Sequence, residues 1–163
     1  MKSTAYFLHG LDSSGNGSKG RFFADNFPHI VRPDFTGSLA DRLEQLTELC
    51  AEQHDLLFIG SSFGGLMATC YAIDHPQATA RLILLAPALN FAQYQPPVEI
   101  LQIPTLCIIG SRDTVTPAAV VTPLAQATFA RLTIEIVDDD HLLHASFPGL
   151  DWHHLLRDCR PNG

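Results

Sequence analysis

LLFIGSSFGGLMATC, Leu56 to Cys70, passes from an aliphatic run through Gly60, two serines, Phe63 and two further glycines into a segment of small and apolar residues. Leu56 to Ile59 is continuously apolar and predicts a strand buried on both faces, and Phe63 to Ile73, apolar or small on every side, predicts a helix buried against it. Gly60, Ser62 and Gly64 fit G-x-S-x-G in one register only, because centring the pattern on Ser61 would require glycine where Ile59 and Phe63 stand. Such a pattern serves a sharp, strained strand-to-helix turn that lifts a serine oxygen out of a sheet, and only residues without bulk can flank it closely. The pattern arises by chance in about one chain in twenty of this length, so its position between a strand and a helix carries the weight.

The same alternation extends outward. Tyr6 to Leu8 predicts a strand that stops at His9-Gly10, followed by a loop rich in Gly, Ser, Asp and Asn up to Gly20. Arg21 to Asn26 predicts a helix, and His29 to Val31 a second short strand before the turn at Pro33-Asp34. Ser38 is an N-cap candidate with Asp41 three residues on, and Leu39, Leu43, Leu46, Leu49 and Cys50 recur at helical spacing up to about Gln53. Further strands are predicted at Arg81 to Leu85, Leu106 to Ile109 and Leu132 to Val137. Helices are predicted at Pro117 to Ala127, with a kink at Pro123, and at Pro148 to Arg160. Continuous apolar strands separated by helices define the α/β class: a mostly parallel sheet with helices on both faces and ligands bound beyond the carboxyl ends of the strands. The length of 163 residues, with no repeat or linker, predicts a single domain over 1–163.

Composition narrows the partners. Seventeen acidic against ten basic residues give a net charge of −7, and the basic residues are scattered, which argues against nucleic acid or an anionic membrane and for a small soluble ligand. Cys50, Cys70, Cys107 and Cys159 lie far apart without C-x-x-C spacing, as expected of free thiols in a reducing cytosol. The apolar run near the amino terminus is too short for a signal peptide and no stretch approaches a membrane span, so a cytoplasmic protein is expected. Nothing in the sequence indicates an oligomeric state.

A serine hydroxyl is a poor nucleophile at neutral pH and needs a base within hydrogen-bond reach and a third group to orient that base. Two post-strand segments offer them: Ser111-Arg112-Asp113, and Asp138-Asp139-Asp140-His141 with His144 as a rival imidazole. Ser, then Asp, then His is the chain order of α/β-hydrolases. YFLHGLDSSGNGSKG (6–20), FIGSSFGG (58–65), IIGSRDTVTP (108–117) and IVDDDHLL (136–143) together resemble a compact serine hydrolase of the α/β-hydrolase superfamily, over nearly the whole chain. The LHG opening and the GSSFGG elbow are similar to YqiA-like esterases.

The resemblance implies a triad of Ser62, Asp113 and His141, an oxyanion hole made by the backbone N–H groups of Leu11 and Phe63, and hydrolysis of a small ester or thioester through an acyl-enzyme without a cofactor. It also implies a minimal α/β-hydrolase fold without a lid, because Pro87 to Ile103 is too short for one, and hence an open, shallow site. From topology, Leu11, Asp12, Phe63 and the Phe91 to Val98 loop are expected to meet substrate. Asp138, Asp139 and Asp140 are expected to form a polar rim, with Asp139 able to tune His141. His9 is expected to shape its loop and Lys19 to be solvated. A metal hydrolase built on DDDHLLH lacks H-E-x-x-H spacing and a third ligand, and neither G-x-G-x-x-G nor a P-loop pattern is present. Two alternatives stand beside this expectation: another chemistry of the same triad (perhydrolase, lactonase, peptidase or C–C hydrolase), and a catalytically silent interaction protein on the same fold.

Overall fold

In the computed structural model, which describes residues 2–159, five strands form one sheet: β1 (Thr4–Leu8), β2 (Leu56–Ser61), β3 (Thr79–Leu85), β4 (Thr105–Gly110) and β5 (Leu132–Val137). They lie side by side in chain order and every neighbouring pair is parallel. Parallel neighbours need crossovers, and right-handed crossovers that always step in the same direction put their helices on the same face.

That face is covered by α2 (Leu39–Leu49), α3 (Phe63–Asp74) and α4 (Ala118–Thr128), where Leu46, Leu66, Met67, Tyr71, Val121 and Ala125 pack with Tyr6, Leu8, Phe58, Leu84 and Ile109 of the strands. The alternate strand residues, among them Phe7, Ile59, Ile83 and Ile108, turn to the other face and meet Phe23 of α1 (Ser18–Asn26) and Trp152 of α5 (Trp152–Leu155). Side chains two apart along a strand share a face, and both faces of β1 to β4 are covered, which is why those strands read as apolar runs, whereas β5 at the edge is only partly buried. On the α1 side, Phe23 meets Phe7 at 5.3 Å and Trp152 edge-on at 5.0 Å between ring centroids.

Several boundaries differ from expectation. α1 starts at Ser18 rather than after Gly20, so the polar loop is shorter. The Ser38 cap forms with its reciprocal bonds: Asp41 N–H donates to Ser38 Oγ at 3.2 Å and Ser38 N–H to Asp41 Oδ2 at 2.9 Å. α2, however, ends at Leu49 instead of near Gln53. The strand expected at His29 to Val31 is a single parallel bridge from Val31 to Tyr6, since the chain before it turns with Ile30 N–H on Phe27 O and Pro33, next in register, has no N–H to extend the pairing. The expected closing helix is broken into a 3-10 turn at Phe147–Gly149 and the short α5, and its last residue, Arg160, lies outside the described residues. Between β3 and β4 the chain forms no helix. Leu89, Tyr94, Leu101 and Ile103 pack down into the core, so this segment fills a crossover position instead of covering the site. No helix among the described residues is long and apolar enough to cross a membrane.

Candidate active site

The turn between β2 and α3 is built as its glycines require. Ser62 has φ 54° and ψ −113°, a left-handed conformation that a serine adopts only under constraint. A Cβ on Gly60 would lie 2.5 Å from Gly64 O, and one on Gly64 would lie 1.9 Å from Leu8 O. The helix therefore starts in direct backbone contact with β1 and β2. Ser62 is held there by its own N–H, which donates to Leu85 O at 2.9 Å, and by its carbonyl, which accepts from Gly65, Leu66 and Ala88 N–H.

Ser62, His141 and Asp113 come together from the carboxyl ends of β2, β5 and β4. Ser62 Oγ lies 3.0 Å from His141 Nε2, and His141 Nδ1 lies 2.9 Å from Asp113 Oδ2. The Asp113 side chain is wholly buried whereas the imidazole is 19% exposed, so one edge of the ring faces solvent from the cleft. An imidazole whose Nδ1–H donates to the carboxylate presents Nε2 as an acceptor for the serine proton.

Thr116, which the sequence reading passed over, completes this arrangement. Its N–H donates to Asp113 Oδ1 at 2.8 Å, beside Val115 N–H at 2.9 Å. Its buried Oγ1 lies 2.8 Å from Asp113 Oδ2, 3.1 Å from His141 Nδ1 and 3.2 Å from Ala86 O. With one proton, the hydroxyl can donate to the carboxylate or to the carbonyl while offering a lone pair to the imidazole N–H. The signal was Asp-x-x-Thr, a spacing at which Asp accepts from the backbone two and three residues on.

Burial pushes the Asp113 carboxyl up, but the Thr116 N–H, the His141 ring and the Thr116 hydroxyl outweigh it and hold the group below the usual carboxylate range. A carboxylate with a depressed folded pKa stabilises the protein fully above its unfolded value of about 3.9, and that contribution is lost as pH falls through the lower folded value. Melting temperature is therefore expected to fall more steeply with acid in the wild type than in Asp113→Asn below about pH 4.5. Parallel melting curves of the two proteins over that window would contradict the assignment.

The loop after β1 runs beside the serine. His9 Nδ1–H donates to Gly10 O at 2.7 Å and His9 Nε2 accepts from Phe35 N–H at 2.9 Å, which fixes the ring as the Nδ1–H tautomer. Gly10 O also accepts from Ser13 N–H. Because a trans peptide points its N–H opposite its C=O, anchoring Gly10 O also orients the Leu11 N–H. Among the described residues neither Leu11 N–H nor Phe63 N–H has a protein acceptor.

Two expectations about neighbouring charges need correction. Asp139 is buried rather than part of a rim, and its carboxylate accepts from Asp140 and Ser146 N–H, both at 2.8 Å, so it braces the His141 loop, while the ring's own partners are Ser62, Asp113 and Thr116. Lys19 is half-buried rather than solvated: its Nζ donates to Leu142 O at 2.6 Å and sits over the Phe147 ring. Asp138, by contrast, is exposed and pairs with Arg112.

These elements surround a cleft of about 500 Å³, whose lining includes Leu11, Asp12, Ser62, Phe63, Phe91 and His141. Phe91 stands edge-on to Phe63 at 5.6 Å, but Val98 at the far end of its loop is fully exposed and away from the cleft. His144 lines the cleft without joining the Ser62 chain of hydrogen bonds. Among the described residues no three His, Cys, Asp or Glu side chains converge as metal ligands would. The four cysteines are free, and burial pushes the thiols of Cys50 and Cys70 up to about 11 and that of Cys107 to about 12, far from a nucleophile's range at neutral pH.

Comparison with known proteins bears on the family and the fold. A family model described as "Serine aminopeptidase, S33" matches residues 1–102. No curated protein matches in sequence. Among solved structures, the chain is similar to one described as a hydrolase of the alpha/beta superfamily from Xanthomonas campestris pv. campestris. The TM-score is 0.78 at 26% identity, covering 94% of this chain and 96% of that one. It is also similar to a ydeN-like hydrolase from Pectobacterium atrosepticum, with TM-score 0.74, 22% identity and coverage of 96% and 90%. For Est1E from Butyrivibrio proteoclasticus, solved with ferulic acid bound, the values are 0.75, 13%, 96% and 89%. The last two likenesses are likenesses of fold.

Proposed function

The chain belongs to the serine aminopeptidase S33 family, hydrolases of the α/β superfamily, and on that premise we propose that it cleaves a small carboxylic ester or thioester through an acyl-enzyme on Ser62. The observation that carries this is the unbroken hydrogen-bonded chain from Ser62 Oγ through His141 to buried Asp113, opening on a cleft beside two unfilled backbone donors.

His141 Nε2 takes the Ser62 proton as Oγ attacks the acyl carbon, and the carbonyl oxygen becomes an oxyanion met by the Leu11 and Phe63 N–H groups. The imidazolium, stabilised by ionised Asp113, then protonates the departing alkoxide or thiolate. Water, deprotonated by the same Nε2, attacks the acyl-enzyme, and collapse of the second oxyanion returns the proton to Ser62 and releases the acid. The scheme uses no cofactor. Phe63, Phe91 and Ala88 inside the cleft, with exposed Leu11, Val115 and Leu142 at its mouth, suit a short apolar acyl group. The free thiols fit a reducing compartment.

Peptide cleavage is the second reading. The family description favours it, and Asp12 in the cleft lining is a carboxylate that would hold a substrate α-ammonium. Rates with p-nitrophenyl acetate, butyrate and laurate set against leucine p-nitroanilide separate the two. Higher kcat/KM on acetate or butyrate than on laurate, by about tenfold or more, and slower anilide cleavage are expected, since methylenes beyond the cleft gain no burial and a chain too long for it pulls the acyl carbon out of line with Ser62. Faster anilide turnover would establish the peptidase reading, and faster laurate turnover would refute the short-acyl assignment.

A further inference from the structure

Arg42 lies on α2 and is 5% exposed. A buried guanidinium ordinarily sits against a carboxylate, because an unpaired charge in the interior is costly. Arg42 makes no ion pair among the described residues, and its Nη1 is buried without a hydrogen-bond partner. Its remaining contacts are specific. Nε donates to Gly37 O at 3.0 Å, Nη2 donates to Leu11 O at 3.1 Å, and the guanidinium carbon lies 5.3 Å from the centroid of the Phe63 ring. One side chain thus reaches both residues whose N–H groups would form the oxyanion hole, and it does so without lining the cleft.

We infer that Arg42 is a positioning residue for the oxyanion hole: it clamps the Leu11 carbonyl, braces Phe63, and holds a positive charge behind the two donors. The inference rests on the serine-hydrolase reading above. His9 anchors the peptide on the amino side of Leu11, which carries its N–H, and Arg42 the peptide on its carboxyl side, so together they restrain φ and ψ of Leu11 and keep that N–H from turning. The side chain of Leu11 is 51% exposed and supplies little of that restraint. An uncompensated cation is disfavoured in the resting protein and less so once negative charge develops nearby, which is the condition for helping a transition state more than a bound substrate.

The test compares wild type with Arg42→Lys and Arg42→Met. Three quantities are measured: kcat and KM on p-nitrophenyl butyrate, the rate constant of labelling by a fluorophosphonate, and inhibition by a boronic acid that forms a tetrahedral adduct on the serine. Removing one oxyanion donor outright costs about 10² to 10³ in kcat, so loosening one is expected to lower kcat and the labelling rate about 10- to 100-fold. KM should move less than about threefold, and boronate affinity should fall in parallel with kcat/KM. A merely structural role would not separate boronate affinity from KM. Arg42→Lys, which keeps the charge and most of the stem, carries the comparison if Arg42→Met does not fold. Folded variants that label at the wild-type rate and keep boronate affinity would overturn the inference. Absence of labelling in the wild type would overturn the serine-hydrolase reading itself, and the inference with it.

Discussion

Replacing Ser62 with alanine is expected to lower kcat on ester substrates by on the order of 10⁶-fold, because a nucleophile and its base act as one unit and loss of either leaves only the oxyanion donors and binding. Labelling by a fluorophosphonate, read as intact mass, should be single in the wild type, absent in Ser62→Ala and retained in Ser61→Ala. Ser61 lies one residue earlier, at the end of β2, and has no contact with His141 among the hydrogen bonds of the site. Labelling that survives Ser62→Ala would show that another residue is the nucleophile. Absence of labelling in a well-folded wild type would favour the catalytically silent interaction protein. The same position stores backbone strain. Glycine accepts φ 54° freely, so Ser62→Gly is expected to be equally inactive yet more stable, by about 0.5 to 2 kcal/mol once the greater unfolded-state freedom of glycine is subtracted.

Gly64→Ala is expected to be the most destabilising single methyl group at the site. Its Cβ would fall 1.9 Å from Leu8 O, 2.5 Å from Leu8 C and 2.8 Å from His9 O, all backbone atoms of β1 and its exit. Relief would require β1 to withdraw from α3 while still pairing with β2, where Leu8 stands opposite Gly60. A loss above about 4 kcal/mol, comparable to half the stability of an ordinary domain, is expected from urea or thermal melting. Gly10→Ala is the control. There the nearest atoms, Ser61 O and Ser62 Cβ, would lie 3.7 and 3.8 Å away, which is ordinary contact, and a change under about 1 kcal/mol is expected. Equal melting temperatures for the two variants would contradict the close packing of the elbow.

What was legible in the sequence follows from what each residue's own segment dictates. Leu132 to Val137 matches the observed β5, and each other strand differs by two residues at one end or, for β4, by one at each; the apolar runs of β1 to β4 mark strands covered on both faces, whereas β5 alternates with Thr133 and Glu135 and is only partly buried. Ser62 stands out by a local pattern, and Asp113 and His141 by standing just past strand ends, and the structure brings these three side chains together. Thr116 and Arg42 were missed for different reasons. Thr116 has one local partner, Asp113, but its hydroxyl also reaches His141 and Ala86, which are far away in sequence. Arg42 lies three residues after Leu39 and four before Leu46, on the helix's apolar face, while Leu49, counted there by spacing, is 39% exposed. An arginine on a buried stripe was the available signal. Lys19 and Asp139 are expected to face water because charged residues in polar loops usually do, whereas Lys19 is held by the distant Leu142 carbonyl and Asp139 by backbone N–H groups of its own loop.

The strands lie in the sheet in the order in which they are made, and this gives the molecule a direction in time. A growing chain can add each strand to the free edge left by the last, so the elbow, on the second strand, can exist before the carboxylate arrives behind the fourth. The imidazole comes last, carried past the end of the fifth strand, which remains an edge and is only half covered. A nascent chain that ends before the fifth strand carries Ser62 without His141, and in the sheet the strand that positions His141 is an edge strand with a single neighbour to hold it. Docking of that outermost strand onto the fourth is therefore the step that brings His141 within reach of Ser62.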